Sequence, residues 1–182
     1  MTNIVEVKNV KIGKGIPKIT VPIVGANNIE LIEEINGLKE IKFDIVEWRV
    51  DFYKNVDHIE KVKEILEEIR KMLPDTPILF TFRTKKEGGE REVPVEYYVK
   101  LNCEIVKTKL IDLVDIELFT GYNYIHELVE TARENKVKVI MSNHDFFKTP
   151  SKEEIISRLT KMIELNADIP KIAVMPQSEA DV

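Results

Sequence analysis

A chain of 182 residues, 43% of them hydrophobic, has enough material for one well-packed domain and too little for two of ordinary size, so residues 1–182 are expected to form a single domain. Its net charge of −5 is spread over interspersed acids and bases with no basic run, which argues against a nucleic-acid surface. Cys103 is the only cysteine, which excludes an internal disulfide framework and a Cys/His metal cluster and points to a reducing compartment. The start MTNIVEVKNV has no basic stretch leading into a long apolar core, and no later stretch approaches the roughly 20 apolar residues of a membrane span. A soluble, cytoplasmic protein is the expectation.

In chain order, VEVKNVKIG alternates like a small hairpin with Asn9 near its turn. From about Ile19 onward, short β-rich runs alternate with longer amphipathic helical stretches, the pattern of repeated βα units around a parallel sheet. Strands are expected at Ile19–Val24, Phe43–Trp48, Ile78–Arg83, Asp112–Glu117, Val137–Ser142 and Lys171–Met175, with helices near 28–37, 57–73, 94–108, 121–135 and 152–166. Element starts recur at about 30 residues, the size of one βαβ step. Asp57 and Ser151 are candidate helix caps, Glu154 completes a capping-box pattern with Ser151, and Pro74 and Pro77 end the second helix.

Six strands of this kind suit either an open doubly wound sheet or most of a (βα)8 barrel. No GxGxxG or GxxxxGK[ST] follows a strand, and the Gly88–Gly89 pair lies in a charged loop, so the phosphate glycines of a nucleotide fold are missing. Polar residues near several strand ends fit a TIM-type α/β barrel better, because its catalytic groups come from many strands at one face.

Lys171 stands out as a lone amine in the apolar run DIPKIAVMP. Desolvation disfavours an ammonium, so a lysine kept dry there would present a neutral amine able to form a Schiff base. The competing reading is a lysine whose stem packs on the sheet while its head reaches water. His144, near the end of KVKVIMSNHD, is the natural general acid/base of three histidines, since His58 and His126 fall on helices. Alternation sets Glu47, Arg49 and Asp51 on one face of their strand, suited to holding hydroxyls or a carboxylate, or equally to structural ion pairs. Arg83 ends ILFTFR and could bind an anion bidentately, and Glu87, beside two glycines, could swing in to orient a histidine.

If Lys171 and His144 share a pocket, iminium formation turns a ketone into an electron sink and a base removes the adjacent proton. Elimination and carbon–carbon cleavage both follow from that arrangement, so the residues alone leave a dehydratase and a Schiff-base class I aldolase open. No HExxH or Gly-x-Ser-x-Gly suggests metal or serine chemistry.

Taken together and in this order, EWRVD, FTFRTKKEGGE, DIEL, SNHDF and KIAVMPQSEADV resemble type I 3-dehydroquinate dehydratase of the shikimate pathway. The resemblance covers almost the whole chain and implies a cofactor-free barrel enzyme, usually dimeric, that dehydrates 3-dehydroquinate through a Schiff base. It implies that Lys171 forms the imine, that His144 moves the protons, and that Glu87 positions His144. It further implies that Glu47, Arg49 and Arg83 bind substrate hydroxyls and order the pocket. In the family pattern two more βα units follow QSEADV, bringing a carboxylate-binding arginine and a closing loop. The expectation is therefore an incomplete barrel with the last two units missing, two unpaired sheet edges and weak activity, or a non-catalytic fragment that assembles with another chain.

Overall fold

The computed structural model describes residues 4–181. The chain opens with an antiparallel hairpin, β1 (Val5–Val7) and β2 (Val10–Ile12), in which Val5 faces Ile12. Six parallel strands follow and pair in sequence order: β3 (Thr20–Ile23), β4 (Ile45–Arg49), β5 (Ile78–Thr81), β6 (Leu113–Glu117), β7 (Lys138–Asp145) and β8 (Ile169–Val174). Between them run α1 (Asn28–Gly37), α2 (Ile59–Met72), α3 (Val95–Lys107), α4 (Tyr122–Glu134) and α5 (Lys152–Glu164). The result is a curled, parallel α/β half-barrel. None of the described helices is long and apolar enough to cross a membrane.

The helices form where apolar residues repeat at helical spacing. In α2 the buried positions are Val62, Ile65, Leu66 and Ile69, a single stripe turned toward the sheet. That stripe meets the outer face of the strands, where Val46, Trp48, Ile78, Phe80, Val114, Ile116, Val139 and Met141 belong to the main core. Trp48 and Phe80 pack edge to face with ring centroids 5.6 Å apart. Each of these side chains contributes about 1.5–3 kcal/mol by leaving water, so the outer face carries most of the apolar stabilisation.

The inner face has a second, smaller core that closes only the bottom. Ile45, Leu79, Leu113 and Ile140, one from each of four strands, pack against Val5 and Val7 of the hairpin, with Ile169 of β8 beside them. Arg70 of α2 locks this end by donating to the carbonyls of Leu73, Thr76 and Leu110 and to Asp112 Oδ2, which also accepts from Ile78 N at 2.8 Å.

Three local details depart from expectation. The α2 N-cap is His58, with no side-chain cap bond, rather than Asp57. Ser151 does cap α5, accepting from Glu154 N at 3.2 Å, but the Glu154 carboxylate turns to Arg158; the Asn27–Glu30 pair instead makes the reciprocal cap, with Glu30 Oε2 taking Ala26 N at 2.7 Å. Finally, β7 continues through Asp145 because Asn143, His144 and Asp145 pair with Ile172, Ala173 and Val174, although their polar side chains read as a strand end.

Candidate active site

Above the apolar floor, strand alternation sends every second side chain inward, and here those residues turn polar. They are Glu47 and Arg49 of β4, Thr81 of β5 and Arg83 just beyond its end, Asp115 and Glu117 of β6, Ser142 and His144 of β7, and Lys171 of β8. The register confirms the shared face: Arg49 pairs with Thr81, Glu117 with Ser142, and Ser142 with Lys171. Lys171 and His144 thus project from adjacent strands on one side of the sheet, two ladder positions apart.

Arg83 sits at the centre, its side chain 4% exposed. Nη2 lies 2.9 Å from Asp115 Oδ1, while Nη1 donates to Glu117 Oε1 at 3.2 Å and to Ser142 Oγ at 2.9 Å. Ser142 in turn donates to Asp115 Oδ1 at 2.6 Å. Glu117 also accepts from Thr84 N and Thr84 Oγ1, at 2.8 and 2.7 Å. Burial works against the guanidinium charge, but the Asp115 and Glu117 carboxylates outweigh it and raise its pKa above the ordinary arginine value. Arg83 is therefore taken up by protein carboxylates, and the free anion-binding fork expected of it is not what the fold builds.

Burial alone would raise the pKa of Asp115; Arg83, Lys171 and the Ser142 hydroxyl together hold it below the usual aspartate value. For Glu117 burial prevails, and its pKa is raised. Asp115 Oδ2 accepts no hydrogen bond among the described residues, and Lys171 Nζ lies 3.8 Å from it.

The loop after β5 delivers Glu87. Lys85–Glu87 form a 3-10 turn ended by Gly88 at φ +84°, a left-handed conformation that glycine adopts without steric cost. Gly89 then passes so close to the chain that a Cβ there would lie 1.8 Å from the Arg83 carbonyl oxygen. Folded back in this way, Glu87 places Oε2 3.0 Å from His144 Nδ1, while Asn143 Nδ2 donates to Oε1 at 3.2 Å. Phe146 stacks on the other side of His144, ring centroids 6.2 Å apart and planes 13° from parallel. Arg49 is clamped by both oxygens of Asp51, at 2.8 and 2.9 Å, and Glu47 accepts from Thr81 Oγ1 at 2.7 Å.

The structure brings Lys171, His144, Glu87, Arg83, Glu47 and Arg49 to one end of the half-barrel. Among the described residues the Lys171 side chain is 38% exposed, on the last strand of the sheet. Sequence reasoning left Asp115, Glu117 and Ser142 without a role. The signal was present, because Leu-Val-Asp-Ile-Glu alternates in the same period as Glu47 and Arg49.

A half-barrel of βα units gathering an amine, an imidazole–carboxylate pair and a buried ionic cluster at the C-terminal ends of its strands belongs to the class of barrel enzymes. The family model described as Type I 3-dehydroquinase matches residues 19–182. The chain belongs to that family, and its activity is that of a 3-dehydroquinate dehydratase, a hydro-lyase. It is 65% identical over 182 residues to 3-dehydroquinate dehydratase of Clostridium botulinum, covering 100% of this chain and 72% of the relative. The Clostridium novyi enzyme is 60% identical over 98% of this chain and 70% of its own length. Among solved structures, type I 3-dehydroquinate dehydratase of Clostridium difficile, with covalently modified comenic acid, is 56% identical and superposes with a TM-score of 0.97 over 100% of this chain and 72% of that one.

Proposed function

We propose that Lys171 forms the imine of the dehydration and that His144, positioned by Glu87, moves the protons. Neutral Lys171 Nζ adds to the substrate ketone carbon, and the carbinolamine takes up a proton and loses water, leaving an iminium. His144 removes a proton from the carbon beside the iminium, and the electron pair of that C–H bond becomes the enamine double bond. The enamine then expels the hydroxyl one carbon further along, which leaves as water with the proton that His144 returns. Hydrolysis of the conjugated iminium releases product and restores the lysine. Glu47 and Arg49, half-buried at the mouth, bind substrate hydroxyls, and Arg83 orders the pocket from beneath.

The observation that carries this reading is the shared inner face of Lys171 and His144, with Glu87 Oε2 on the Nδ1 side of the imidazole so that Nε2 is the nitrogen left for substrate. Residues 1–182 act in it as one barrel domain. Homodimeric assembly and a cytoplasmic setting belong to the same reading, the first checked by sedimentation equilibrium and the second by cell fractionation.

Borohydride added with 3-dehydroquinate tests it directly. The expected result is a mass increment on the Lys171 peptide, lost in Lys171→Met, which keeps the apolar volume of the stem and with it the fold. His144→Ala should still be trapped but should not turn over, because nucleophile and base are separate groups. Adduct on another residue, or turnover by the Met variant, overturns the assignment.

A further inference from the structure

The buried ionic cluster is short of positive charge. Among the described residues Arg83 is the one cation within it, yet three carboxylates converge on that guanidinium: Asp115 at 2.9 Å, Glu117 at 3.2 Å and Glu87 at 3.7 Å. Glu87 is also engaged with His144, and Glu117 with Thr84. Asp115 divides its two oxygens unequally. Oδ1 serves Arg83 and Ser142, whereas Oδ2, on a residue 0% exposed, is aimed at the Lys171 amine with no other donor within reach among the described residues. A fully buried carboxylate oxygen left without a hydrogen bond costs free energy unless a positive charge stands opposite it.

We infer that Asp115 is the fixed counter-anion of the Lys171 nitrogen, a positioning residue that holds the same positive charge first on the ammonium and then on the iminium. The inference rests on the proposed imine role of Lys171. Charge bookkeeping gives it its logic: ammonium plus ketone yields iminium plus water, so the nitrogen carries one positive charge before and after condensation. A carboxylate fixed 3.8 Å away therefore does not oppose net imine formation. It stands opposite the positive nitrogen in both states, so its removal should displace the pH profile of each.

Other charged or titratable groups face the amine from the same end. These are Glu117 beside Asp115 on β6, His144 on β7, Arg83 after β5, Glu47 and Arg49 on β4, and Glu87 in the loop; α5 packs on the other face of β8, where Ile172 points. Of these, only Asp115 has a carboxylate oxygen within ion-pair distance of Lys171 among the described residues.

The test compares the full chain with Asp115→Asn across pH by two readouts. The first is borohydride trapping with 3-dehydroquinate. Both limbs of its pH profile should move to lower pH, because a cation that has lost its facing carboxylate gives up its proton more readily. The second is carbamylation of Lys171 by cyanate, followed by peptide mass, which reads the amine without substrate and should shift in the same direction by a similar amount. Ser142→Ala removes a hydrogen bond from the same carboxylate while leaving its charge, and both profiles should keep their midpoints. Asp115→Glu, which restores the anion, should return the limbs toward the parent. If the Asn variant does not fold, Asp115→Ser gives the same comparison with a smaller neutral group.

Reduced amplitude with unmoved midpoints in both readouts would reduce Asp115 to a structural role and overturn the inference. Absence of trapping in the parent chain would instead defeat the imine role of Lys171, while the cyanate midpoints would still decide whether Asp115 governs that amine.

Discussion

Glu87 holds His144 at two points: the same carboxylate oxygen, Oε2, lies 3.0 Å from Nδ1 and accepts from the His144 backbone N at 3.1 Å. One grip fixes the ring nitrogen and the other fixes the chain beneath it. Glutamine can keep the geometry but not the negative charge beside the ring. Glu87→Gln should therefore lower kcat by roughly 10- to 100-fold with little change in KM, and Glu87→Ala should lower it further because the ring is no longer oriented. Steady-state kinetics check both, and an unchanged kcat in the alanine variant would remove Glu87 from the reaction.

The two glycines after Glu87 should differ in tolerance. A Cβ at Gly88 meets the Phe146 ring at 2.3 Å, a side chain able to move, so Gly88→Ala should cost about 1–2 kcal/mol from the left-handed backbone and should loosen the stacking on His144. At Gly89 the obstacle is the Arg83 carbonyl, which is backbone, so Gly89→Ala should be the more damaging of the two. Urea denaturation ranks them, and the reverse order would contradict the loop geometry.

Arg70 is the stability counterpart at the other end of the strands. It donates to four backbone carbonyls and Asp112, so Arg70→Ala should destabilise the fold by about 2–4 kcal/mol while leaving the chemistry of the mouth intact. A drop in the denaturation midpoint with unchanged KM is the expected pair of results.

Acid should weaken the fold partly through Asp115. Its folded-state pKa is held below the unfolded value of about 3.9, so its contribution is present above that value and is lost as pH falls through the folded one. Glu117 acts in the opposite sense, its raised pKa making protonation more favourable in the folded state. The comparison that isolates Asp115 is the stability gap between the parent and Asp115→Asn, which should be widest near neutrality and close below about pH 4. A gap that stays constant into acid would show that the carboxylate charge is not what stabilises the cluster.

Much of this was legible before any coordinates. All six parallel strands and all five helices exist where periodicity and punctuation place them, with ends that differ by up to three residues, because burial on one helix stripe and one sheet face writes a repeat into the residues. Asp57 misled because capping competence is common near helix starts, whereas which residue caps depends on where the chain turns in. The pairing of Glu87 with His144 spans 57 positions and leaves no periodic trace; the two glycines beside Glu87 suggested that it could orient a histidine, and the family resemblance named which one.

The ladder between β7 and β8 makes the mouth intolerant of length drift in one place and indifferent to it in another. An extra residue in the connection after α5 would only lengthen a surface bend, but one inserted between Ile169 and Lys171 would slip the side-chain phase and swing the amine to the helix-covered side, far from His144. Among relatives of this chain, gaps and insertions should thus gather in connections and spare the strand interiors, as if the chemistry were counted out in even steps.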